Sequence, residues 1–303
     1  MMKRLKFLKL MISTMSSVGL SLSALPAIAG EPFDSLRSLY TLDAHLPQSV
    51  DVLSDETSEG VRSVELKFTA YDNENVPARL EVLQDAENPP VIILLHGLTQ
   101  SRAQWWRTDK GPYSFPSRHR KALVDAGFAV FAFDARKHGD RRGPADFADP
   151  GIYLQNGYFD AARKFAAETA IDVRSAINAL DHIDGVDTSN IGVTGFSLGA
   201  FIGYLATAVD TRIDAGFFMA LPLLPVTKGE AASFTSPFAY AEGFDGRVMG
   251  LLAGTEDQLY TREGIDSLAA AMRSDTQVTW IESNHDFPDS TADISVNFFE
   301  TAF

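Results

Sequence analysis

The sequence predicts an α/β fold, a mostly parallel eight-stranded sheet with helices on both faces. Three observations carry that expectation: short apolar runs rich in Val, Ile, Leu and Phe recur along the chain, amphipathic segments separate most of them, and no internal repeat or low-complexity tract interrupts the alternation. Strands buried on both faces read as unbroken apolar runs, and parallel neighbours need crossovers long enough to hold a helix.

The elements follow in order. SVELKFTAY (63–71) and ARLEVL (78–83) alternate apolar with polar residues, as half-buried strands do. After Pro89 and Pro90, VIILLHG (91–97) is apolar without a break, the mark of a central strand. AVFAFDA (129–135), IGVTGF (191–196), AGFFMAL (215–221), RVMGLLAG (247–254) and QVTWIE (277–282) complete the eight. Helical patterns cover 117–126, 161–183, 198–209, 264–273 and 291–303. The longest sets Ala162, Phe165, Ala166, Thr169, Val173, Ala176, Ile177 and Leu180 on one face, with Arg163, Lys164, Asp172 and Arg174 off it. Residues 30–60 are acidic and polar with few periodic signals, so they are expected to wrap the surface as an extension of a single domain over 61–303. The connections 136–160 and 222–246 exceed what a crossover requires and mix Gly and Pro with the aromatics Phe147, Tyr153, Phe234, Phe238 and Tyr240. Both loop insertions leave the C-terminal end of a strand, where open α/β sheets bind ligands.

The first 29 residues are a separate object. Lys3, Arg4, Lys6 and Lys9 make a basic start, Leu10 to Leu25 is apolar with serines, and Ala27-Ile28-Ala29 is a small-residue cleavage signal before Gly30. This is the pattern of a bacterial secretory signal peptide, so the mature protein is expected to be periplasmic or secreted, with no membrane anchor after cleavage. The start KRLKFLK lacks the paired arginines of a twin-arginine signal, which favours general secretion. The chain has no cysteine, which excludes disulfides, a thiolate nucleophile and a lipidated cleavage site. Its formal charge of −14 becomes more negative once the basic leader is removed. A field of that sign repels polyanions, which argues against nucleic acid as a partner.

The chemistry centres on GFSLGA, where Ser197 stands between Gly195 and Gly199 as a strand-like run becomes helix-like. GxSxG is short enough to arise by chance, with the glycines serving a turn and the serine capping a helix. Its context favours more, because a serine at a tight strand-to-helix corner presents its Oγ above the sheet. A hydroxyl attacks only with a base in hydrogen-bond reach and a group that orients the base. AGTEDQLY supplies Asp257 after the seventh strand, with Glu256 as the alternative acid, and SNHDFP supplies His285 after the eighth. Of the six histidines, only His285 follows the last strand.

At LLHGLTQS, DARKHG, GFSLGA, GTEDQ and SNHDFP the sequence resembles the α/β-hydrolase superfamily. Within it the likeness is to esterases and peptidases related to dienelactone hydrolase, acetyl xylan esterase and prolyl oligopeptidase, and it covers residue 61 to the C-terminus. The resemblance implies Ser197 as nucleophile, His285 as general base and acid, Asp257 as the carboxylate that orients it, and the backbone N–H groups of Leu98 and Leu198 as oxyanion donors. HGLT departs from the HGGG form, and His96 is expected to be structural. Trp105 and Trp106 beside the oxyanion segment, and His138 in DARKHG, are candidates to contact substrate. The histidines show no metal-ligand spacing, so no metal or other cofactor is expected. The implied activity is hydrolysis of a small-molecule ester through an acyl-enzyme. Peptidase activity is the alternative, disfavoured by the absence of propeller repeats. A binding module that retains the fold without the chemistry is a third reading.

Overall fold

Nine strands form one sheet in the order β1-β2-β3-β5-β4-β6-β7-β8-β9. The computed structural model describes residues 33–41, 49–147, 149, 151–223 and 236–303. The leader (1–29) and Phe234 lie outside the described residues. The strands β4 (Pro90–Leu95), β5 (Ala129–Phe133), β6 (Asp187–Phe196), β7 (Ile213–Met219), β8 (Val248–Gly254) and β9 (Asp275–Ile281) pair parallel. At one edge β1 (Val50–Ser58), β2 (Val61–Thr69) and β3 (Asn75–Leu83) run antiparallel, β3 joining β5. All eight expected strands form.

The ninth, β1, corrects both the eight-strand count and the expectation that residues up to 60 only wrap the surface. It is the free edge and almost wholly exposed, so no buried face imposed an apolar period on VDVLSDETS. Glu59 (φ 52°) and Gly60 (φ 79°) are the two positive-φ residues of a tight hairpin that pairs Ser58 with Val61. Three acidic side chains, Asp51, Asp55 and Glu56, line this edge and discourage pairing with another sheet.

Helices α1 (Phe33–Ser38), α2 (Pro116–Asp125), α3 (Gly151–Gln155), α4 (Phe159–Leu180), α5 (Leu198–Val209), α6 (Arg262–Ala271) and α7 (Ala292–Ala302) flank the sheet. α4 buries Phe165, Thr169, Val173, Ala176, Ile177 and Leu180, the face its spacing predicts. Asp172 departs from that reading. It is fully buried because Arg136 reaches it with Nε and Nη2 at 2.9 Å each and Arg141 with Nη2 at 2.8 Å. Those arginines come from the loop after β5, and they also grip Asp72 and Glu74 at the β2–β3 turn. DARKHGDRR is therefore a clamp that ties three elements together. Among the described residues no helix is long and apolar enough to cross a membrane.

The chain places β5 on one side of β4 and β6 on the other, so the order reverses at β4. The C-terminal ends of β4 and β6 lie side by side, Leu95 opposite Gly195. A crevice opens at such a switch point, and both segments that follow these strands border it.

Candidate active site

Ser197 follows β6 directly and has φ 55°, ψ −112°, a conformation that L-residues rarely adopt. Its N–H donates to Met219 O at 2.9 Å, which fixes the corner against β7. The flanking glycines are required by close approach. A Cβ on Gly199 would lie 2.1 Å from Leu95 O, and one on Gly195 would lie 2.3 Å from Gly199 O. Helix α5 thus begins in direct contact with the end of β4. The Ser197 side chain does not cap that helix. Its Oγ lies 2.8 Å from His285 Nε2.

His285 sits in the loop after β9, and Asp257 in the loop after β8. Adjacent parallel strands, Gly254 opposite Ile281, bring the two loops together. His285 Nδ1–H donates to Asp257 Oδ2 at 2.6 Å. Asp257 does not cap α6, whose cap is Thr261, accepting from Gly264 N–H at 3.0 Å. Burial alone would raise the Asp257 pKa. Hydrogen bonds from His285, the Leu259 N–H and the Tyr260 hydroxyl outweigh it and hold the carboxyl below its usual value, so it stays ionised. Tyr260 itself accepts the Gly254 N–H at 2.8 Å, which locks it beneath the acid. Glu256 is exposed and makes no side-chain hydrogen bond to His285 among the described residues.

Leu98 and Leu198 follow β4 and β6, and among the described residues neither N–H is taken up by a protein acceptor. Leu198 is the first residue of α5, so its N–H shares the positive end of the helix dipole. Two histidines fix the Leu98 peptide. His96 Nε2 accepts the Ala135 N–H at 2.9 Å, which leaves Nδ1 as the protonated nitrogen, donating to Gly97 O at 2.9 Å. That carbonyl belongs to the same peptide unit as the Leu98 N–H. Burial lowers the His96 pKa to about 3, which keeps this tautomer neutral. His138 Nε2 meets Leu98 O at 2.7 Å and its Nδ1 meets Arg136 O at 2.8 Å.

Three expected substrate contacts are placed elsewhere. Trp105 is wholly buried in the core, because the 3-10 turn Arg102–Trp106 folds it inward. Trp106 turns away to the β3 side, where Nε1–H donates to Glu81 Oε1 at 2.7 Å and the Arg79 guanidinium lies 4.6 Å from the ring centre. His138 is buried between the Arg136 and Leu98 carbonyls, and burial lowers its pKa, so the neutral ring donates to one of them and packs against the other, bracing this loop rather than facing substrate. Conversely, Gln104 and Tyr260 emerge as supports that residue spacing did not single out. The described residues contain no cluster of His, Asp or Glu suited to hold a metal ion.

A hydroxyl, an imidazole and a carboxylate in hydrogen-bonded series beside two free N–H groups can carry out acyl transfer by a serine-hydrolase route. Fold and site together define an α/β-hydrolase-type protein. The chain belongs to the alpha/beta hydrolase family, which it matches over residues 92–293. It is 23% identical over 259 residues to the putative hydrolase YtaP of Bacillus subtilis (strain 168), covering 77% of this chain and 82% of that one. Among solved structures it resembles acetyl xylan esterase 1 from Thermoanaerobacterium sp. JW/SL YS485, with TM-score 0.70, 15% identity and coverage of 90% of this chain and 94% of that one. A putative dienelactone hydrolase from Klebsiella pneumoniae is similar with TM-score 0.61, 16% identity and coverage of 80% and 98%.

Proposed function

We propose that the protein is a carboxylic ester hydrolase that works through an acyl-enzyme on Ser197. The observation that supports it most is the unbroken series Ser197 Oγ, His285, Asp257, with spacings of 2.8 Å and 2.6 Å. In this reading His285 Nε2 takes the Ser197 proton as Oγ attacks the ester carbonyl. The carbonyl oxygen becomes an oxyanion and accepts from the Leu98 and Leu198 N–H groups. As the intermediate collapses, His285 returns the proton to the departing alcohol. Water then attacks the acyl-enzyme, His285 takes its proton, and the acid leaves with Ser197 restored. Asp257 holds the tautomer with Nδ1 protonated and stabilises the imidazolium formed in both halves. Every proton moves between named groups and water, and the scheme calls for no cofactor. Esterases among the structural neighbours agree with this reading.

The leader supports export, so the working protein is proposed to begin at Gly30 in the periplasm or medium. N-terminal sequencing of the cell-derived protein tests this, and a start at Met1 would contradict it. Ester hydrolysis is tested with short acyl esters. Turnover that disappears in Ser197→Ala is the expected result. Faster cleavage of proline- or alanine-based aminoacyl anilides than of any ester would instead favour a peptidase.

A further inference from the structure

The Tyr113 backbone has φ +58°, a left-handed conformation that a non-glycine residue rarely adopts. Three hydrogen bonds hold it there. Its N–H donates to Asp286 Oδ1 at 3.0 Å, and its carbonyl accepts from Gln104 Nε2 at 3.1 Å and Arg107 Nη1 at 3.4 Å. Gln104 is buried, and its Oε1 accepts the Gly97 N–H at 3.0 Å. A continuous chain of hydrogen bonds therefore runs from the peptide before Leu98, through Gln104 and Tyr113, to the neighbour of His285.

This strap aims a side chain at the site. The Tyr113 ring stacks on Phe196, 5.9 Å away at 29°, and meets the His285 ring edge-on at 6.2 Å and 69°. It is only half-buried, and no described residue hydrogen-bonds its hydroxyl. Burial and the nearby Asp286 and Asp257 carboxylates raise its pKa, so the hydroxyl remains a donor.

We propose that Tyr113 is a specificity-determining residue that contacts the leaving alcohol of the ester, an inference that rests on the ester-hydrolase reading. The tetrahedral intermediate bears an oxyanion, a leaving oxygen and an acyl chain. The oxyanion turns to Leu98 and Leu198, and the leaving oxygen must turn to His285 Nε2 to receive its proton. A ring packed against His285 therefore borders the alcohol side. Its face favours an uncharged alcohol with a flat or apolar portion, and its hydroxyl favours an acceptor oxygen next to the ester. The flanking carboxylates disfavour an anionic alcohol.

The test measures kcat/KM and melting temperature for wild type, Tyr113→Phe and Tyr113→Gly. Butyl and 2-methoxyethyl acetate differ by one acceptor oxygen, methyl and benzyl acetate by a ring, and ethyl acetate and ethyl butanoate by acyl length alone. Tyr113→Phe is expected to reduce the preference for 2-methoxyethyl over butyl by up to about tenfold, the range of one neutral hydrogen bond. Tyr113→Gly is expected to reduce the benzyl-to-methyl preference as well, and the melting curves are expected to show both variants folded at the assay temperature. The acetate-to-butanoate ratio should stay constant in both variants. Alcohol preferences unchanged by either substitution, or an altered acyl ratio, would overturn the assignment. Fluorophosphonate labelling of the same preparations separates the two claims. Labelling at Ser197 with alcohol preference independent of Tyr113 defeats this inference alone, and an unlabelled wild type defeats the ester-hydrolase reading and this inference with it.

Discussion

Gly199→Ala is the perturbation with the most direct reading in the geometry. The added Cβ would stand 2.1 Å from Leu95 O and 2.4 Å from Leu95 C, both backbone atoms that cannot rotate away. Ordinary C···O contact is about 3.3 Å, so the start of α5 and the end of β4 must part by roughly 1 Å. The Leu198 N–H rides on the first of these segments and the Leu98 N–H on the second. Misplacement of that size costs on the order of 100-fold in rate, and overpacking costs about 1–3 kcal/mol of stability. Gly203→Ala, on the same helix, is the control. Its Cβ meets only side chains, Val193 Cγ1 at 2.9 Å and Phe218 Cε1 at 3.3 Å being the nearest. It should lower the melting temperature while leaving kcat close to wild type. Steady-state ester hydrolysis, together with thermal melts of both variants, decides the matter. A Gly199→Ala protein with wild-type kcat would refute the claim that contact between α5 and β4 sets the oxyanion donors.

Other consequences are separable from that one. Asp257→Asn should lower kcat by about 10⁴-fold, the loss expected when the tautomer is no longer held, whereas Glu256→Gln should leave it unchanged; side-by-side kinetics would settle the acid. His119 lies between Ser295 Oγ at 2.9 Å and Thr291 Oγ1 at 3.0 Å, and burial lowers its pKa from 6.5 to about 3. His96 shares that shift. The unfolded chain therefore binds more protons than the folded one between those values, and stability should fall as pH drops from about 6.5 toward 3. Urea midpoints across that window should show a shallower fall in His119→Gln. Asp172→Ala leaves Arg136 and Arg141 facing a buried gap and should cost about 3–5 kcal/mol in urea denaturation.

The parallel strands β4 to β8 were legible because each is buried along most of its length and leaves an apolar run, whereas β9, a half-buried edge strand, was marked only by the short β-prone stretch QVTWIE. The meeting of Ser197, His285 and Asp257 in one hydrogen-bonded series was legible because each lies just beyond a strand, where chain order and sheet order coincide. β1 was not legible, since an exposed edge leaves no apolar period. Asp172 was misread for a related reason: helical spacing marks a charge as solvent-facing and carries no trace of arginines arriving from the loop after β5. Trp105 and Trp106 illustrate a third limit. Proximity in sequence to the oxyanion segment says nothing about which way a 3-10 turn points a side chain. Tyr113 escaped notice because its placement depends on Asp286 and Gln104, contacts 173 and 9 residues apart in the chain.

The central claim is that Ser197 is an activated nucleophile. Its most direct test is reaction of the folded protein with a fluorophosphonate, followed by peptide mapping of the adduct. One adduct per chain, located on Ser197, is expected, and none on folded Ser197→Ala. A folded wild type that remains unlabelled, or an adduct on any other residue, would contradict it.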